Sequence, residues 1–135
     1  MTQQASGTFQ VKLSPQAPAG SEEPTVGRLL LDKVFSGDLE AVSAGQMLAL
    51  RTGVENSAGY VAIERVSGAL HGRQGSFALQ HSGTMNRGVP SLSIHVIPDS
   101  GSGDLLGLSG EMVLDQRDGG HAYTLTYTLP ESQQG

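Results

Sequence analysis

Alternation is the feature that most constrains this chain. From His121 to Leu129, Tyr123, Leu125, Tyr127 and Leu129 fall on one phase of a period of two, and Thr124, Thr126 and Thr128 fall on the other. That is the pattern of a half-buried strand. The same period returns between short turn-forming runs and defines eight strands. In the first, Gly7 to Leu13, Phe9, Val11 and Leu13 alternate with Thr8, Gln10 and Lys12. The rest are Val26 to Phe35, Leu39 to Thr52, Gly59 to Leu70, Ser76 to Met85, Ser91 to Ile97, Leu105 to Leu114 and His121 to Leu129. Ser14 to Thr25, with Pro15, Pro18 and Pro24, is expected to be a mobile loop, and residues 131–135 a ragged tail. Leu39, Val42, Met47 and Leu50 also fit one face of a helix, but Gly45 would cost that helix about 1 kcal/mol, so a strand is preferred. Which face of that strand points inward stays open.

Eight consecutive strands with short connections can close on themselves. The expected fold is therefore all-β, a small closed antiparallel barrel with a central cavity, filled by side chains or holding one small ligand. With 135 residues there is enough chain for one core and not for two, so residues 1–135 form a single domain.

Composition narrows the partners. Eight Lys and Arg against 13 Asp and Glu give a formal net charge of −5 with no basic stripe, which argues against nucleic acid. Three Phe, three Tyr and no Trp leave few stacking platforms for bases. There is no Cys, so packing must hold the fold without disulfides. Met1 to Gly7 has neither the basic nor the apolar region of a signal peptide, and the longest aliphatic run is Leu29-Leu30-Leu31. A cytoplasmic protein without a membrane partner is expected. The 19 glycines follow no fixed period and are read as turn residues.

The hairpin Gly59 to Met85 carries the candidate chemistry. Central turn residues Gly72-Arg73 or Arg73-Gln74 make cross-strand partners sum to an odd number, so Tyr60, Ala62, Glu64 and Val66 share a face with Phe77, Leu79, His81 and Gly83. Glu64 and His81 then lie opposite or diagonal, within about 8 Å between Cα atoms. A turn at Arg87-Gly88 adds Ile94 opposite His81. A carboxylate and an imidazole facing each other in an apolar interior are candidate acid/base catalysts, with His81 as base and Glu64 as its orienter or as the acid. The structural alternative is a buried pair that fixes register, or a Glu64 bonded to Tyr60 or Arg51. Around the pair, Tyr60, Phe77, Leu79, Ile94, Tyr123, Leu125 and Tyr127 are candidate ligand contacts. The tyrosines can equally fill the core with their hydroxyls at a barrel end.

Other chemistries lack their motifs. His71, His81, His95 and His121 fall in a turn, on the inner face, on the outer face and near a strand end, so no metal site is expected, and no cofactor. Gly107-Leu108-Ser109-Gly110 does not have the spacing of a nucleophile elbow, and Gly101-x-Gly103-x-x-x-Gly107 has one residue too many for a dinucleotide fingerprint. Val61 and Ile63 stand on the phase opposite Glu64, with Arg65, and an apolar outer face points to a homo-oligomer.

Four segments carry a family resemblance. They are Leu31-Asp32-Lys33-Val34-Phe35-Ser36-Gly37-Asp38-Leu39-Glu40, Tyr60 to Gly68, Gly75 to Met85, and Pro98 to Gly110. Together they resemble the bacterial family numbered 3224 among domains of unknown function, which is similar to the allene oxide cyclase-like barrels. The likeness runs from about Gly7 to Pro130. It implies an eight-stranded antiparallel barrel with a central cavity, and a strand over Leu39 to Thr52. Barrels of this shape include cyclases of apolar, unsaturated molecules, but no cyclase's catalytic residues match positions here. The expected function is binding of a small, mostly apolar molecule, with isomerase or cyclase-type proton transfer if the protein is an enzyme. The alternative is a non-catalytic, homo-oligomeric interaction barrel.

Overall fold

A computed structural model describes residues 2–16, 26–117 and 120–130. Their strands are β1 (Gln3–Pro15), β2 (Gly27–Gly37), β3 (Leu39–Arg51), β4 (Ala58–Leu70), β5 (Arg73–Asn86), β6 (Val89–Val96), β7 (Ser102–Gly103), β8 (Ser109–Arg117) and β9 (Gly120–Thr128). Eight close an antiparallel barrel in the order β1-β2-β3-β4-β5-β6-β8-β9 and back to β1, and β7 is an extra two-residue strand on β5. The segment Leu39 to Arg51 is a strand along its whole length. Most of the expected proline-rich loop, residues 17–25, and the tail 131–135 lie outside the described residues. Ser14 and Pro15 belong to β1, which Gln16 extends by donating its backbone N–H to Arg28 O at 2.7 Å.

Turn chemistry sets the registers. His71 (φ 49°) and Gly72 (φ 80°) both sit in the left-handed region, as do Arg87 (φ 50°) and Gly88 (φ 93°). Two such residues in succession make the tight turn whose twist matches a hairpin. The β4–β5 turn is thus centred on His71-Gly72, one residue before the first and two before the second of the expected pairs, Gly72-Arg73 and Arg73-Gln74. The odd sum survives, and Glu64 pairs with Leu79 while Ala62 pairs with His81. Ile94 lies opposite His81.

The barrel has two unlike ends. One is sealed: Leu39, Leu70, Leu105, Leu108 and Tyr127 are each at most 1% exposed. Leu105 and Leu108, expected to begin or continue a strand, instead lie in a tight loop ahead of β8. Leu105 N–H bonds Ser102 O at 3.0 Å and Leu108 N–H bonds Leu105 O at 3.0 Å, which curls the segment and drops both leucines into the barrel end. Each fully buried side chain of that size contributes roughly 1.5–3 kcal/mol, so the seal is a large part of a core built without disulfides. At the other end, Leu13, Met85 and Leu92 stand on inward phases yet remain exposed.

Candidate functional site

Between the sealed end and the end that carries Leu13, Met85 and Leu92 lies a layer of polar side chains. Four neighbouring strands each supply one: Lys33 from β2, Ser43 from β3, Glu64 from β4 and His81 from β5, all buried. Lys33 and Ser43 are direct cross-strand partners, whereas Glu64 is two residues off Ser43's partner, Val66, and His81 two residues off Glu64's partner, Leu79. Strands of a closed barrel are tilted, so side chains at one height come from such staggered positions. Gly45, which pairs with Glu64, makes the arrangement possible. A Cβ there would lie 2.6 Å from Glu64 Cα and 2.9 Å from its Cβ.

Glu64 is the hub. Its Oε2 accepts from Lys33 Nζ at 2.9 Å and from His81 Nε2 at 2.6 Å, and its Oε1 accepts from Ser43 Oγ at 2.5 Å. Burial alone would raise its pKa. The hydrogen bond from His81, the charge of Lys33 and the hydrogen bonds from Ser43 and Lys33 outweigh that and hold it down at about 2. Lys33 has few other options in an apolar interior. Its Nζ lies 4.9 Å from the Phe9 ring centroid and 5.6 Å from that of Phe35, close enough for both ring faces to stabilise the cation. One cation and one anion leave the layer neutral overall when His81 is an uncharged imidazole.

His81 looks two ways. With Nε2–H committed to the ionised Glu64, the neutral ring presents a lone pair at Nδ1. On that side Nδ1 meets the Tyr60 hydroxyl at 3.4 Å. Tyr60 is half-buried, and its ring crosses Gly83, where a Cβ would lie 2.6 Å from Tyr60 Cε1 and 3.2 Å from Leu92 Cδ1. Its phenol pKa is raised, first by burial and then by the Glu64 charge, so it stays protonated.

The other expected contact residues lie deeper. Phe77, Leu79, Ile94, Tyr123, Leu125 and Tyr127 are all in the buried core cluster. The Tyr123 hydroxyl accepts from Leu39 N–H at 2.9 Å and is also 3.0 Å from Ser36 O, while the Tyr127 hydroxyl meets His71 Nδ1 at 2.5 Å. Both hydroxyls therefore fasten the sealed end. Glu64 bonds neither Tyr60 nor Arg51; Tyr60 faces His81, and Arg51 is exposed.

Lys33 and Ser43 escaped the sequence reading. Leu29, Leu31 and Phe35 share one phase of β2 while Leu30 and Val34 fill the other, so either Asp32 or Lys33 could point inward. The phase of β3 was open as well. Gly45 on the phase of Ser43 was the available signal, since a glycine inside a strand marks close approach by another backbone.

Among the described residues, no group of three or more His, Asp or Glu converges to hold a metal ion. His95 is exposed and bonded to Ser93, and His121 stacks on Phe9 with centroids 5.1 Å apart. On the outer surface, Lys12, Asp32, Val42 and Arg65 line a groove of about 640 Å3.

Comparison with known proteins adds a family. Residues 5–127 match the model of a family described as "Protein of unknown function (DUF3224)". No curated protein matches the chain. The fold is similar to the crystal structure of a protein with unknown function from the DUF3224 family of Shewanella oneidensis MR-1. The two are 45% identical with a TM-score of 0.90, over 96% of this chain and 98% of that one.

Proposed function

The chain belongs to the DUF3224 family, and from that premise and the geometry above we propose that its barrel binds a small, mostly apolar molecule at the open end. The observation that carries this reading is the exposure of inward-phase side chains there: Leu13 45%, Met85 39% and Leu92 45%. Apolar groups aimed at a barrel axis and still wet gain by covering with an apolar ligand, at roughly 25 cal/mol per Å2. Beneath them lies an acid/base layer suited to proton transfer. In its neutral form His81 takes a proton from the ligand at Nδ1, and the electron pair stays on the ligand until the proton returns at a second atom, the stoichiometry of an isomerisation. Of the two roles open to Glu64, only that of orienter fits. A carboxyl held at about 2 has no proton to give at neutral pH, and its charge instead stabilises the imidazolium formed in the step.

The test uses a neutral fluorescent probe, 1-aminoanthracene. Saturable binding of one probe per chain is expected, weakened about tenfold or more by Ala49→Phe, because Ala49 pairs with Tyr60 at the mouth and a phenyl ring there occupies the space. Absence of saturable binding, or unchanged affinity in Ala49→Phe, overturns the proposal.

A second reading, a homo-oligomeric interaction barrel, is favoured by a different surface. Leu30, Val34, Val42, Leu48, Leu50, Val61 and Ile63 on the outer face of β2, β3 and β4 are each 36–57% exposed. The two readings are compatible, since one uses the inside of the barrel and the other the outside.

A further inference from the structure

The open end also specifies the polarity of what it holds. All three donors that reach Glu64 are accounted for, and His81 Nε2–H is one of them. When the ring is neutral, the other nitrogen, Nδ1, is an acceptor, and the Tyr60 hydroxyl that meets it stands at 3.4 Å, beyond the 2.5–3.0 Å usual for a hydroxyl donor to oxygen and long for nitrogen too. A buried acceptor so loosely met gains from a better donor. The side chains beside Tyr60 cannot supply it, because Met47, Ala49 and Leu92 carry no hydrogen-bond donor. The half-buried Tyr60 lies at the open end, so a molecule seated there meets the Tyr60–His81 contact first.

We propose that the molecule bound at the open end carries a neutral hydrogen-bond donor, as a phenol or enol does, which takes over Nδ1 of His81, and that it is not a carboxylate. This rests on the open end being a ligand site. A carboxylate would present no donor to Nδ1. It would also bring a second negative charge close to Glu64, whose field already disfavours an anion at the Tyr60 oxygen. The Tyr60 hydroxyl, released from Nδ1, becomes a donor to a second oxygen of the ligand.

Three matched probes test this on the full chain: 4-propylphenol, its methyl ether 4-propylanisole, and 4-propylbenzoate. Their affinities are measured by calorimetry, and the His81 ring nitrogens are followed by long-range 1H–15N spectra. The ether is the more apolar of the first two, so hydrophobic burial alone would favour it. The expected result is that the phenol binds about tenfold tighter than either analogue and moves the His81 Nδ1 resonance. Equal binding of ether and phenol overturns the donor requirement and leaves apolar binding standing. Tightest binding of the benzoate, or a phenol that leaves Nδ1 unmoved, also overturns it. Failure of all three to bind overturns the ligand site itself.

Discussion

At Glu64 a side chain with no exposed surface keeps its charge because three donors surround it: Lys33, Ser43 and His81. Charge buried with partners costs little, while charge buried without them costs several kcal/mol. The consequence is a pH dependence with a definite sign. In the fold the carboxyl is held at about 2 against an ordinary 4.5. A depressed carboxyl contributes stability that is complete above about 4.5 and is lost as pH falls towards about 2, an amount on the order of 3 kcal/mol. Glu64→Gln removes that titration and strands Lys33, so the variant is expected to lose about 3 kcal/mol at neutral pH and to fall less than the wild type between pH 5 and 2. Urea denaturation across that range measures both. An identical acid slope in the two proteins contradicts the assignment of Glu64 as the buried anion.

At the scale of elements, legibility followed how differently the two faces of each strand are treated. In β9 the inner Tyr123, Leu125 and Tyr127 alternate with threonines, and the structure buries the first set. The β4–β5 hairpin was legible in parity, which brought Glu64 and His81 together. Its turn lies one or two residues ahead of the expected Gly72-Arg73 or Arg73-Gln74, because His71, without glycine's freedom, adopts a positive φ. A shift of the pairing by two residues keeps every side chain on its face, so the site survived the error. β2 was illegible because both of its faces are aliphatic, and with it went Lys33. Leu105 and Leu108 failed for another reason: leucines that plug a barrel end look, in sequence, like leucines of a strand. The join of β6 to β8 through the single pair His95 and Glu111 has no local signal at all, since it depends on where the loop before β8 leaves that strand.

The whole molecule combines a barrel packed with buried leucines at one end and carrying the exposed Leu13, Met85 and Leu92 on inward phases at the other with an outer face rich in aliphatic side chains. On that face Asp32, Ala44 and Arg65 form one transverse row, and neither charged residue is ion-paired among the described residues. A twofold axis along β3 would set Asp32 of one copy over Arg65 of the other, twice, with Val42 against Val42. The three strands that carry these aliphatic residues, at about 4.8 Å spacing over about 27 Å, present roughly 390 Å2 per copy, the size of a small, concentration-dependent contact. Native mass spectrometry is expected to find a dimer that Ile63→Lys converts to monomer, and a monomeric wild type contradicts the interface. For the interior of the barrel, the measurement that discriminates best is where a neutral apolar probe makes intermolecular nuclear Overhauser contacts on methyl-labelled protein. Contacts from 4-propylphenol to the methyls of Leu13, Met47, Met85 and Leu92 are expected. Contacts confined to Val61 and Ile63, or none with any methyl, would contradict it.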